Sequence, residues 1–318
     1  MSVYLELTRI RITALTSLSA VTGYILSRGT IDPGILVPVL GVVFLASGAT
    51  ALNQVQEYSK DRVMERTRNR PIPTGRITTG SALLISIALI ISGFIILLLG
   101  HSLPPALLGI LAILLYNGVY TPLKALSAYA AVPGALVGAI SPAIGWTCGN
   151  GSFLHPVNVA LMSIFFLWQV PHFWMLLRLH EQDYRNAGFP VPTARISRDA
   201  FMKMIASWTF ALISSILFLP VFHLANHPAL YAVLIVSSIF MALQTLRMVR
   251  EKDRPGQTFA AINILILVTM MVLITGRFLH RPSLALTCSV RTASHSHFQP
   301  DMQGLKTQTK EVFHEDRR

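Results

Sequence analysis

The sequence specifies an all-α fold: a polytopic transmembrane bundle of about nine helices arranged in two pseudo-repeated halves. Three observations predict it. Apolar residues arrive in blocks of bilayer length, basic residues collect in alternate connecting loops, and two of those loops repeat a motif.

Hydrophobic residues make up 53% of the 318 and charged residues 13%, about half the charged share of a soluble domain. The apolar residues fall in blocks at about 10–27, 34–55, 80–100, 104–121, 128–147, 155–178, 201–223, 228–247 and 259–279. Each is close to the roughly 20 residues that cross a hydrocarbon core as a helix. None alternates with the period of a barrel strand. A bilayer offers no partner to unpaired backbone groups, so the blocks are helices.

The net charge of +12 is a topology signal and not a nucleic-acid surface. With a cytoplasmic N-terminus, the loops after the second, fourth, sixth and eighth helices share one side. They hold 16 of the 26 Lys and Arg residues: six in 56–79, Lys124, five in 178–203 and four in 247–254. Arg28 is the only basic residue of the opposite loops before the C-terminal tail. This asymmetry orients the chain, with the charged loops cytoplasmic and a bacterial inner membrane as the expected location. The opening MSVYLELTRIRITALTSLSA lacks a small-residue cleavage pattern and is expected to stay as the first helix. Cys148 and Cys288 show no metal-ligand spacing, and nothing in the sequence favours a disulfide between them. A membrane domain over 1–280 and a disordered polar tail over 281–318 follow from composition.

The loop after helix two reads RNRPIPTGRI and the loop after helix six reads RNAGFPVPTARI. Both contain Pro-x-Pro-Thr-x-Arg-Ile, and both follow carboxylates: Glu57 and Asp61, then Glu181 and Asp183. Two related halves of about four helices each would place a site between them.

Asn53, Glu57 and Asp61 are spaced i, i+4, i+8, one row along a helix face. Ionisable groups at membrane depth face a cavity and a partner. Two carboxylates and an amide oxygen suit Mg²⁺, which takes few protein ligands and is completed by phosphates. Arg66, Arg68 and Arg70 follow, with planar forks that match phosphate oxygens. A magnesium-bound diphosphate satisfies both halves of the segment. The plainer alternative is a loop of balanced charges, and the second copy argues against it. There, Glu181 and Asp183 can hold a second Mg²⁺, with Arg178 or Arg185 on phosphate. Lys124 is either a topology signal or part of the phosphate cradle, with Tyr120 nearby. Gly134, Gly138 and Gly145 are expected to serve close helix contact.

Upstream of the second acidic pair, Trp168, Gln169, His172, Phe173 and Trp174 place polar groups among aromatic faces. Gln169 and His172, at i and i+3, share one side of the helix, and Pro171 can kink it. His172 is either an ordinary interior histidine or a group facing a flat, apolar acceptor.

Together these residues resemble the UbiA superfamily of intramembrane prenyltransferases, and most of all its heme-directed members. The first signature of that branch is matched by Asn53, Asp61, Met64, Arg66, Thr67, Arg70 and Pro71, with Glu57 in place of an Asp and Ser59 where many members have a further Asp. Tyr120–Lys124, Val132–Ala135, Gly145-Trp146, Trp168–Trp174 (without its third residue), Asp183-Tyr184 and Ala187-Gly188 also match. Ala125 stands where Arg is usual and Ser141 where Pro is common. The resemblance covers about 10–280. It implies transfer of a farnesyl group from farnesyl diphosphate to a vinyl group of protoheme IX, assisted by Mg²⁺. It implies Asp61, Asp183, Arg66 and Arg70 as catalytic residues, and Glu57, Asp61, Glu181 and Asp183 as metal ligands. Substrate contacts fall to Asn53, Tyr120, Lys124, Gln169, His172, Trp174, Arg178 and Arg185. It leaves room for contact with heme-handling or oxidase-assembly proteins. A quinone precursor or a chlorophyll-type acceptor is the nearest alternative, and a membrane transporter is the alternative from another class.

Overall fold

The computed structural model of the protein describes residues 3–251 and 255–279. The expected polar tail, Cys288 and the basic residues Lys252 and Arg254 lie outside the described residues. Among those described, nine helices are long and apolar enough to cross a bilayer: α1 (Ile10–Arg28), α2 (Pro33–Asp61), α3 (Thr79–Gly100), α4 (Leu103–Leu126), α5 (Ala131–Cys148), α6 (Pro156–Leu179), α7 (Arg198–Leu217), α8 (Pro228–Glu251) and α9 (Pro255–Leu279). They coincide with the nine apolar blocks, and no strand is present among the described residues.

Helix ends depart from hydropathy where local chemistry decides them. α2 runs past its apolar block to Asp61, so Glu57 and Asp61 are helical and their row is preserved. α7 stops at Leu217, and Pro220 lies in a short 3₁₀ turn instead of extending the span. α6 continues through Pro171, whose missing N–H leaves the Leu167 carbonyl without its helical donor.

Each helix touches its sequence neighbours, and α9 returns to α1, closing a ring. α5 also crosses α1 inside that ring. The crossing depends on missing side chains: a Cβ at Gly145 would collide with the Ala20 carbonyl, and one at Gly23 with the Pro142 carbonyl. Ser141 ties the same crossing, accepting from Ser19 Oγ at 2.9 Å and donating to the Thr16 carbonyl at 2.8 Å. Large apolar side chains such as Leu84, Leu99 and Val236 point outward, as a lipid-facing belt requires.

The repeated loops end alike. Thr78 caps α3 by accepting from Ser81 N–H at 3.1 Å, and Ser197 caps α7 by accepting from Ala200 N–H at 3.1 Å. Each cap directly follows the Arg-Ile that ends the shared motif. The loops then meet on the side where α2, α4 and α6 end. Met64 from the first joins Tyr184, Phe189 and Val191 from the second in a small apolar cluster, with Ala125 at its edge.

Candidate functional site

Beneath that cluster lies a cavity of about 390 Å³, within the usual range of ligand pockets. The end of α2 supplies Asn53, Glu57 and Asp61, and the following loop supplies Arg66 and Arg70. α4 supplies Tyr116, Tyr120 and Lys124, and α6 supplies Gln169, His172 and Phe173.

Glu57 and Asp61 are 7% and 2% exposed, so neither can remain charged without a partner. Lys124 Nζ donates to both oxygens of Glu57 at 3.1 and 3.2 Å. Arg70 donates from Nη1 to Asp61 Oδ2 at 2.6 Å. Asn53 donates to Thr121 Oγ1 at 3.1 Å, and its own Oδ1 makes no hydrogen bond among the described residues. Arg66 has no ion-pair partner among the described residues, and its buried Nε finds no acceptor.

The site therefore contains four cations, Arg9, Arg66, Arg70 and Lys124, and two carboxylates. That surplus of positive charge, with an orphaned guanidinium donor, fits an anion with several oxygens. The carboxylates and the open Asn53 oxygen fit a hard cation travelling with that anion. No cluster of three His, Cys, Asp or Glu residues that could hold a metal by themselves occurs among the described residues. The donor set suits Mg²⁺ completed by phosphate oxygens.

The second acidic pair is placed differently. Glu181 pairs with Arg185 at 2.8 Å and Arg178 at 3.4 Å, and also accepts from the Thr193 hydroxyl. Asp183 accepts from the backbone N–H groups of Glu65 at 3.3 Å and Arg66 at 3.1 Å. Of this segment the cavity is lined by Tyr184, while Arg178, Glu181, Asp183 and Arg185 are occupied beside it. The short helix Glu181–Asn186 explains this: Glu181 and Arg185 fall one turn apart, leaving Asp183 to face the first loop.

Below the charges the walls are aromatic. Tyr116, Tyr120 and Phe173 form a stacked row with centroid separations of 5.7 and 5.3 Å. The row depends on a π-helical stretch, Leu114–Tyr120, inside α4; wider turns of this kind recur at functional sites. Gln169 lies directly against Gly138, where a Cβ would collide with its amide. Trp174 borders the cavity, yet its ring is buried edge-on against Phe201 and Trp208 of α7.

Sequence reasoning missed Arg9 and Asn263. Arg9 adopts a left-handed conformation at the start of α1, with φ 49°, and reaches the cavity. Burial first, then the neighbouring Arg70 and Arg66 charges, hold its pKa below the usual arginine value. Its basic residue type merged with the topology signal. Asn263 was findable as a polar residue inside an apolar span.

Fold and cavity together define an integral membrane protein with a cationic head, suited to a polyanion, on an aromatic-walled, apolar chamber. The UbiA prenyltransferase family model matches residues 16–286. A Protoheme IX farnesyltransferase of Geobacter sulfurreducens is 42% identical over 220 residues, covering 69% of this chain and 81% of that protein. The Protoheme IX farnesyltransferase of Oleidesulfovibrio alaskensis is 31% identical over 86% of this chain and 95% of its own length. A UbiA homolog from Archaeoglobus fulgidus bound to GPP and Mg²⁺ shares the fold, with a TM-score of 0.62 at 15% identity over 87% of this chain and 99% of that one. The chain belongs to the UbiA prenyltransferase family. It is a membrane-embedded enzyme of the prenyltransferase class.

Proposed function

We propose that this protein transfers the farnesyl group of farnesyl diphosphate to a vinyl group of protoheme IX, giving heme O. Support comes from the relatives that carry that name and from the layout of the cavity. The observation that carries it is the vertical order of the site: paired and unpaired charges above, stacked aromatics and the Gln169–His172 side below.

Arg9 and Arg66 are free to take the diphosphate oxygens on arrival. Lys124 and Arg70, now committed to Glu57 and Asp61, can turn to phosphate as those carboxylates and Asn53 Oδ1 hold Mg²⁺. Bound there, Mg²⁺ supplies positive charge against the diphosphate as the C–O bond breaks. The guanidinium and ammonium groups supply the rest, charge that is fixed before the reaction starts. Tyr116, Tyr120 and Phe173 line the prenyl chain and keep water from the allylic cation. Gln169 and His172 hold the flat acceptor so that its vinyl carbon meets the farnesyl carbon. The C–C bond that forms leaves a carbocation beside the ring, which one water molecule captures as the alcohol with loss of a proton. The diphosphate leaves as the second product. Asp183 supports Arg66 through the backbone. It could reach a metal only by giving up two amide bonds, and Glu181 is similarly committed to Arg185 and Arg178.

The domain responsible is residues 1–280, with 281–318 as a polar tail outside it. The basic side of the membrane is the cytoplasmic face of a bacterial inner membrane, where soluble diphosphate is met. Heme-handling or oxidase-assembly proteins are the partners suited to a product that stays in lipid. The deciding experiment incubates the purified protein with hemin, farnesyl diphosphate and Mg²⁺ and weighs the extracted heme. Farnesylated heme, absent when Mg²⁺ is chelated, supports the proposal; unmodified heme beside a prenylated quinone precursor in a parallel reaction refutes it.

A further inference from the structure

Two hydrogen bonds determine which nitrogen of His172 bears its proton. On α9, Asn263 Nδ2 lies 2.6 Å from the Phe259 carbonyl one turn earlier. A carbonyl only accepts, so the nitrogen end of the amide is committed there. The Asn263 Oδ1 then faces His172 Nδ1 at 2.9 Å. An amide oxygen also only accepts, so Nδ1 is the donor and the neutral ring keeps its lone pair on Nε2.

Nε2 itself makes no hydrogen bond among the described residues, and His172 borders the cavity. Trp168 and Phe259 lean on the ring with centroids 4.8 and 4.9 Å away, fixing its plane. Three residues earlier, the Gln169 side chain has no hydrogen-bond partner among the described residues and is held against Gly138. An imidazole lone pair, pinned from behind and open toward an aromatic chamber, matches a flat apolar ligand with a Lewis-acidic centre.

We propose that His172 Nε2 is an axial ligand to the iron of the protoheme acceptor, and that Asn263 is the positioning residue that keeps the lone pair aimed at it. This rests on protoheme being the acceptor. Ligand histidines in proteins give their second nitrogen's proton to an oxygen acceptor, as His172 gives its own to Asn263. Coordination requires no proton release here, since Nε2 carries none; its electron pair is simply shared with the iron. Held at its centre, a planar macrocycle presents an edge vinyl group to the prenyl carbon without needing a charged residue on that wall.

The test titrates hemin into the purified full-length protein in detergent, following the Soret band and the ferric electron paramagnetic resonance spectrum. Wild type should show histidine ligation. His172→Ala should lose that signature and weaken hemin binding at least about tenfold, and added imidazole should restore the spectrum. Asn263→Leu should keep ligation, weaken it about tenfold, as loss of a supporting partner does, and shift the ferrous iron–histidine stretching frequency. With wild type alone, metal-free protoporphyrin IX should be farnesylated at least tenfold more slowly than hemin. An unchanged spectrum in His172→Ala, or equal turnover of the metal-free porphyrin, overturns the ligation while leaving the farnesyl transfer intact. A wild-type protein that neither binds nor farnesylates hemin overturns both together.

Discussion

Asp183, from the second repeated segment, and Arg66, from the first, touch each other across 117 positions of sequence: Asp183 Oδ2 accepts from the Arg66 backbone N–H at 3.1 Å. The same carboxylate takes the Glu65 amide at 3.3 Å. The two repeated segments are thus joined to each other beside the cavity. Charge-assisted bonds of this kind are worth about 1.5–3 kcal/mol each. Asp183→Asn, which weakens both while preserving shape, should lower kcat about tenfold or more by letting Arg66 drift. Hydrogen exchange should show faster opening of the segment 62–70 with α3 unchanged.

Asp61→Ala removes a buried carboxylate and leaves Arg70 without its partner at 2.6 Å. Turnover should fall to background while the protein still inserts and purifies from membranes. Near-normal turnover would remove Asp61 from the metal site.

Glu57 is held by Lys124 at 3.1 Å, which makes the pair suitable for a double-mutant cycle. Glu57→Gln and Lys124→Met should each weaken binding of farnesyl diphosphate. Combined, they should lose less than the sum of the single effects, with a coupling energy on the order of 1 kcal/mol or more. Glu57→Asp shortens the side chain by one methylene and should shift the Mg²⁺ concentration needed for half-maximal rate upward.

Gly138→Ala inserts a methyl where the Gln169 amide now lies. Gln169 must rotate away, so the KM for the acceptor should rise several-fold while that for farnesyl diphosphate holds. Steady-state kinetics with each substrate varied in turn separates the two.

His180 ends α6 beside Asp183. Burial, then the positive charge of Arg66, depress its pKa below the ordinary histidine value of 6.5. A depressed folded-state value means that the stability it contributes is fully present above pH 6.5. It is lost as pH falls through the lowered value, where the unfolded chain accepts a proton that the folded one resists. Thermal inactivation should therefore begin at lower temperature as pH drops below 6.5, and His180→Gln should flatten that dependence.

Much of this molecule was legible in its residues. The nine spans follow from transfer energetics that act on every residue of a block, so a local pattern suffices. The row Asn53, Glu57, Asp61 follows from helical periodicity and survives because α2 extends to Asp61. What each carboxylate touches was not legible. Lys124 reaches Glu57 across 67 positions, and Asp183 turns to the first loop, because both contacts depend on how distant helices end against one another. Trp174 reads as a cavity aromatic, yet its ring is buried against α7, a choice set by rotation about the helix axis. Arg9 was hidden for another reason: a left-handed backbone turns its guanidinium inward, and no motif announces that.

The π-helical stretch Leu114–Tyr120 has a consequence for how this site could arise. A π-turn is an α-helix carrying one residue too many, and each residue rotates the chain about its axis by about 100°. Because the wider turn absorbs the extra residue, removing one there, Gly118 for instance, would leave α4 a sound transmembrane helix with Lys124 near its place, while resetting Tyr116 against Tyr120 and breaking the stacked row. A single inserted codon, and no change of fold, separates a plain membrane helix from one that serves the cavity.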